Sequence, residues 1–266
     1  MRILSSGAIW ATDVWFLNDT TEATYGRKAI SRFLDSVASP RNGDREHATA
    51  LALNELIVNE ALFSRSSSYV ACFSEERDDL NQWRAYSGGG GYALGFDTEA
   101  LRTLCDVQPG VTFQLRQVIY DQDKQGETLQ KAYDDSLGAH RPESGDPGCA
   151  NLWPANVAAD VLAELSRTLP ALKHSAFEKE NEWRLQAYHL PKDAGASVKF
   201  RATANGPAPY LDFNLMLGSD LPLREVIIGP SRDLDVTKHA IEMLLRRLGM
   251  EDLVDDVYPS KVPLRA

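Results

Sequence analysis

A chain of 266 residues, 43% hydrophobic with a mean hydropathy of −0.32, can bury one sizeable core, and none of its apolar runs approaches the ~20 residues of a membrane helix. A net charge of −10 repels phosphate backbones and no Lys/Arg stripe offsets it, so non-specific nucleic-acid binding is disfavoured. The scattered Cys72, Cys105 and Cys149 exclude a disulfide framework or a C-x-x-C metal pair, and MRILSSGAIWATDVWF does not read as a secretory leader, so a reducing, cytoplasmic setting is expected.

In chain order, LNDTTE at 17–22 fits a capping box of Asp19 and Glu22, with Asn18 as an alternative cap, opening a helix over 20–37. A second helix is expected over 46–63 and a strand over 69–74 (YVACFS). A helix over 77–87 places Asp78 and Asp79 in its first turn, where they complement the dipole, and puts Leu80, Trp83 and Ser87 on one stripe. Trp83 is expected in the core. Gly88 to Gly91 follow this helix and precede a strand, the reverse of a phosphate-cradling loop, so they read as a cap and turn or as a close approach of backbone to a ligand.

Strands are expected over 91–96 and 112–120, then a helix over 124–137. The run AHRPESGDPGCA at 139–150 reads as a surface loop, and a helix follows over 154–172. Segment 182–189 alternates Glu182, Arg184, Gln186 and Tyr188 with Trp183, Leu185 and Ala187, the period of a half-buried strand, which puts Glu180 and Glu182 on one side. Further strands are expected over 198–202 and 225–228. A last helix over 235–248 carries Ile241, Leu244, Leu245 and Leu248 at helical spacing before Gly249. This pattern predicts a single α+β domain over 1–266, with a central mixed or antiparallel sheet system and surrounding helices.

Four blocks stand out: LNDTTE, CFSEERDDLNQWRAYSGGGGYALGFD at 72–97, FEKENEWRL at 177–185, and EVIIGP at 225–230 with SKVPLR at 260–265. In this order they resemble a bacterial family, domain of unknown function 2971, over most of the chain. That family is similar, more distantly, to ADP-ribosyltransferases, whose sites take a His or Arg, a Ser or Tyr and a Glu from successive strands. The resemblance implies that Ser74 supplies the second element and Glu182, with Glu180, the third. The first element has no counterpart among these residues. It also implies that Asn18 and Asp19 hydrogen-bond a ribose or a substrate amide, and the family's character suggests a toxin or defence effector.

Chemistry supports the same residues independently of the resemblance. Breaking a nicotinamide–ribose bond develops oxocarbenium character, which a carboxylate such as Glu182 stabilises, while Glu180 can orient an acceptor or take its proton. The competing reading is a solvated, self-paired charged edge of Glu178, Glu180, Glu182, Lys179 and Arg184. Arg84 can grip a pyrophosphate and Tyr86 can stack on nicotinamide or a base; equally, they can be a surface ion and a half-buried ring. His174 and Glu178 are four apart, but nothing in the sequence has metal-site spacing, and no metal is expected. A P-loop, a G-x-S-x-G elbow and a nuclease acid–Lys cluster are missing.

Three functions follow as expectations. The first is an NAD-consuming ADP-ribosyltransferase-like enzyme acting on a nucleotide-type small molecule. The second is a hydrolase using the same carboxylates on another nucleotide or a glycosidic substrate, and the third is a non-catalytic binding module. The first requires strands 69–74, 91–96 and 182–189 to share a sheet system and Ser74, Tyr86 and Glu182 to line one cleft.

Overall fold

The computed structural model describes residues 2–17, 20–37, 53, 68–87, 91–139, 153–188, 198–204, 206–216, 218, 220–230 and 233–263. Its elements run α1 (Arg2–Ser6), β1 (Ala8–Asp13), α2 (Thr20–Val37), β2 (Tyr69–Ser74), α3 (Leu80–Tyr86), β3 (Tyr92–Phe96), α4 (Thr98–Asp106) and β4 (Thr112–Gln117). They continue as α5 (Gln122–Ala139), α6 (Trp153–Thr168), β5 (Glu182–Tyr188), β6 (Lys199–Thr203), β7 (Gly206–Asn214), β8 (Leu223–Ile228), α7 (Leu234–Arg247) and β9 (Val257–Pro259). The α+β class is as expected. The helix expected over 46–63 and the loop over 140–150 lie outside the described residues. No helix among the described residues is long and apolar enough to cross a membrane.

The main sheet has the order β4-β5-β2-β1-β7-β6, antiparallel at every pairing. Register divides its side chains by face, because directly opposed residues project together. One face carries Ile9, Ala11, Tyr69, Ala71, Phe113, Leu115, Leu185, Ala187, Leu211 and Phe213, and buries them against Leu101, Leu104 and Cys105 of α4. Each fully buried Leu- or Phe-sized side chain here contributes roughly 1.5–3 kcal/mol. The other face is polar, with Arg184 opposite Cys72, Glu182 opposite Ser74, and Arg116 opposite Arg184. Glu182, Arg184, Gln186 and Thr12 on that face are nevertheless buried.

The polar face is roofed by the helical layer. Helices α2, α5 and α6 form their own core around Ile30, Leu34, Leu129, Tyr133 and Leu165. The 3-10 turn Leu169–Ala171 at the end of α6 ties that core to the sheet: Arg184 Nη1 donates to the Pro170 carbonyl at 2.8 Å and Gln186 Nε2 to the Arg167 carbonyl at 2.7 Å. Strand β5 is therefore buried on both faces rather than half-buried, since its polar residues are covered by carbonyl acceptors at a helix end.

Strand β3 departs from expectation. It pairs with β8 in a second sheet, β3-β8-β9, and not with β2 or β5. The cause is long-range: β8 buries Leu223, Val226 and Ile228 with Ile241 and Leu245 of α7, and β3 completes that third core through Leu94 and Phe96. Helix 77–87 begins at Leu80, because Asp79 caps it by accepting from the Asn81 and Gln82 amides. Strands β1, β7 and β9 and helices α1 and α4 were not expected. In β7, Pro207 and Pro209 discourage a strand reading, yet they lie where β7 pairs with β6 alone; pairing with β1 begins at Tyr210, so the missing N–H groups cost no rung there.

Candidate functional site

The site grows from a local reversal. The 3-10 segment Ser175–Glu180 is capped at its start by His174 Nδ1, which accepts from the Ala176 amide, and ends at Asn181, whose φ of 41° is left-handed. Asn tolerates this conformation better than most residues. The reversal lets Glu180, before the strand, and Glu182, its first residue, converge on one cation. Lys173 Nζ lies 2.7 Å from Glu180 Oε2 and 2.8 Å from Glu182 Oε2. The Lys173 ammonium also stands 4.9 Å from the Phe177 ring centroid.

Glu182 is only 4% exposed. Arg184, two residues along the same strand face, holds its carboxylate with a fork: Nε to Oε1 at 2.7 Å and Nη2 to Oε2 at 3.0 Å. Burial works to raise the Glu182 pKa, but Arg184, the Cys72 thiol and Lys173 together outweigh it and hold the group down at about 2. The solvated-edge reading thus fails at Glu182, because it is ion-paired beneath the helical layer. Glu180, with a side chain 26% exposed, keeps contact with solvent. Ser74 pins this geometry: its Oγ donates to the Glu180 carbonyl at 2.6 Å and accepts from the Glu76 amide at 2.9 Å.

A cleft of about 1110 Å³ opens over these groups. Its origin lies in the sheet, where β1 and β2 pair only at Thr12–Val70 and Asp13–Tyr69, and the rest of each strand is unpaired with the other. Ile9 from β1 and Cys72, Phe73 and Ser74 from β2 line the opening, with Lys173, Glu180, Glu182, Arg184 and Arg201 among its polar residues. Tyr86, at the end of α3 and 65% exposed, also lines it. Its phenol is raised first by desolvation and then by the charges of Glu180 and Cys72.

Ser74, Tyr86, Glu180 and Glu182 therefore come together around one opening. Arg84 does not. Trp83 is the residue α3 turns inward, and Arg84, next along the helix, points to solvent and does not line the cleft. Asn18 lies outside the described residues, as does Asp19. Lys173, Arg184 and Arg201 were missed as site residues. In the sequence Arg184 reads as part of a charged edge, and the only local signal for Lys173 is a single cation following the apolar LPAL at 169–172.

Much of the 72–97 block serves architecture instead. Asp78 accepts from Trp83 Nε1 at 2.6 Å, Ser260 Oγ at 2.6 Å and the Lys261 amide at 2.7 Å. Arg77 pairs with Glu225 of β8. A Cβ on Gly229 would come within 2.8 Å of the Trp83 ring. The second block and the EVIIGP and SKVPLR segments are thus parts of one packing unit.

Among known proteins, no curated protein and no solved structure matches the chain. A family model matches residues 82–185, which run from α3 to the middle of β5 and include Tyr86, Lys173, Glu180, Glu182 and Arg184. Over those residues the chain is similar to the family described as "Protein of unknown function (DUF2971)".

Proposed function

We propose that the cleft binds a nucleotide-type small molecule and breaks its N-glycosidic bond, with NAD as substrate, in the manner of an ADP-ribosyltransferase-like enzyme. The observation that carries this reading is the pair of carboxylates at Lys173: Glu182 is fully engaged and buried, whereas Glu180 is partly exposed beside Tyr86 in the same cleft. Glu180 is accordingly the carboxylate that meets the ribose, the reverse of the ranking expected from sequence. As the bond from the anomeric carbon to the pyridinium nitrogen breaks, its electron pair leaves with neutral nicotinamide, and Glu180 stabilises the positive sugar. The acceptor then bonds to that carbon and gives its proton to Glu180. Glu182 positions Lys173 and Arg184, and Tyr86 offers an aromatic face to the departing ring.

The test is nicotinamide release from NAD by the full chain, with water or a panel of acceptors. Glu180→Gln keeps the shape of the side chain but not its charge, and is expected to lower the rate by about 10²–10³ with only a small fall in melting temperature, since Glu182 still pairs with Lys173. Release that is equal in wild type and variant removes Glu180 from the chemistry. If the wild type releases no nicotinamide with any acceptor, the enzymatic reading is overturned.

A further inference from the structure

Arg201 is the cleft-lining cation that the ion pairs described above leave out. It lies on β6, at the far edge of the sheet from Arg184, and its Cα pairs with Ala208 of β7. The small, fully buried Ala208 leaves room for the guanidinium to cross β7 and reach β1, where Nη2 donates to Thr12 Oγ1 at 3.2 Å and the group stands 5.5 Å from the Trp10 ring centroid. Thr12 is the residue at which β1–β2 pairing ends, so the guanidinium sits where the cleft opens. Its Nε is buried and has no hydrogen-bond partner. Buried donors are rarely left unmatched, and one on a charged group is costly to leave so.

The charges nearby have other commitments. Asp212 on β7 pairs with Lys199, and Glu182 is held by Arg184 and Lys173. Glu75 accepts from Trp183 Nε1, Glu76 from Asn181 Nδ2, and Glu225 pairs with Arg77. The cleft lining as a whole is acidic, with Glu75, Glu76, Asp79, Glu180, Glu182 and Glu225 against Arg77, Lys173, Arg184 and Arg201, so positive charge without a carboxylate partner is confined to Arg201.

We propose that Arg201 is the anion-binding residue of this cleft and takes a phosphate or pyrophosphate group of the ligand, the guanidinium turning about its side chain so that its unmatched Nε gains an acceptor. The inference rests on the reading of the cleft as a nucleotide site, and it transfers to Arg201 the role expected of Arg84. A guanidinium suits this role because its planar fork matches phosphate oxygens, which an ammonium does not. Arg201 here acts in binding and takes no part in bond breaking.

The experiment is calorimetric titration of the full chain with inorganic pyrophosphate, ADP-ribose and uncharged adenosine. Wild type is expected to bind pyrophosphate and ADP-ribose. Arg201→Gln is expected to weaken both by roughly tenfold to a hundredfold, the loss of a charged hydrogen bond, and to leave adenosine unchanged. Arg201→Lys keeps the charge but not the planar guanidinium, and is expected to fall between them; it also serves if the Gln variant folds poorly by circular dichroism. Equal affinities in wild type and both variants overturn the proposal, as does a wild type that binds neither anion. The enzymatic reading fails separately. If Arg201 variants lose ADP-ribose affinity but wild type never releases nicotinamide, the anion site stands and the chemistry falls; if nicotinamide release proceeds with an unchanged KM in Arg201→Gln, the chemistry stands and the anion site falls.

Discussion

Asp78 and Glu182 are two carboxylates with three kinds of donor each, and their surroundings differ in a way that separates scaffold from site. Asp78 receives an indole N–H, a hydroxyl and a backbone amide, all neutral, from α3 and from the segment after β9. Burial works to raise its pKa, but Ser260, Trp83 and the Lys261 amide lower it further. Glu182 is gripped mainly by cations, Arg184 and Lys173, next to an open cleft. Neutral donors fasten one chain segment to another and leave a net negative group. Cations bring charges of their own, and Lys173 passes this field to Glu180 and the cleft. The first arrangement reads as a clasp and the second as an electrostatic frame.

The largest expected effect breaks the frame. Arg184→Met strands a buried carboxylate with one cation and is expected to cost about 3–5 kcal/mol in chemical denaturation. Adding Glu182→Gln to that variant should recover much of the loss, since Lys173 keeps Glu180. Strict additivity of the two losses would show that the pair does not interact. Next, Asp78→Ala leaves the Trp83 N–H and the Ser260 hydroxyl without their acceptor and is expected to cost about 1–3 kcal/mol. Because Asp78 does not line the cleft, pyrophosphate affinity should be unaltered in this variant. A parallel loss of affinity would merge clasp and frame into one unit.

The gentlest perturbation is acid. Glu182 has a folded-state pKa of about 2 against an ordinary 4.5, so its contribution to stability is fully present above pH 4.5 and is lost as pH falls toward 2. The lowered Asp78 acts in the same direction. Wild type should therefore lose stability steadily on acidification across that range, and the double variant Glu182→Gln, Arg184→Met should show a shallower slope. Equal slopes would mean that Glu182 titrates alike in the folded and unfolded chain.

Candidate site residues are more legible in the sequence than the part each plays. Ser74, Tyr86, Glu180 and Glu182 were all named, and all four stand at one cleft. Alternation over 182–188 identified β5, but its period does not say whether the polar side meets water or a roof. Here the end of α6 supplies carbonyls to Arg184 and Gln186, and a strand that looks amphipathic is buried on both faces. Glu182, the leading candidate from sequence, is for that reason the engaged carboxylate, and Glu180 the accessible one. Arg84 was misplaced for a simpler reason. Trp83 is buried, as its place on the stripe with Leu80 predicts, and its neighbour one residue along the helix must then turn away.

By itself the sequence determined what depends on near neighbours. The period of α7 and the alternation of β5 are set by residues within a few positions of one another, and each is present; Asp79, expected inside the first turn of its helix, caps it instead. Partnership between distant segments was decided only by the tertiary structure. Glu225 is 148 residues from Arg77, Ser260 is 182 from Asp78, and Arg201 is 189 from Thr12. No local pattern encodes those meetings. Strand β3 joins β8 because that pairing completes a core, and Arg201 enters the cleft because Ala208 is small and β1 parts from β2 beyond Thr12. Burial, charge pairing and the cleft itself are sums over such encounters, which exist only once the chain has closed on itself.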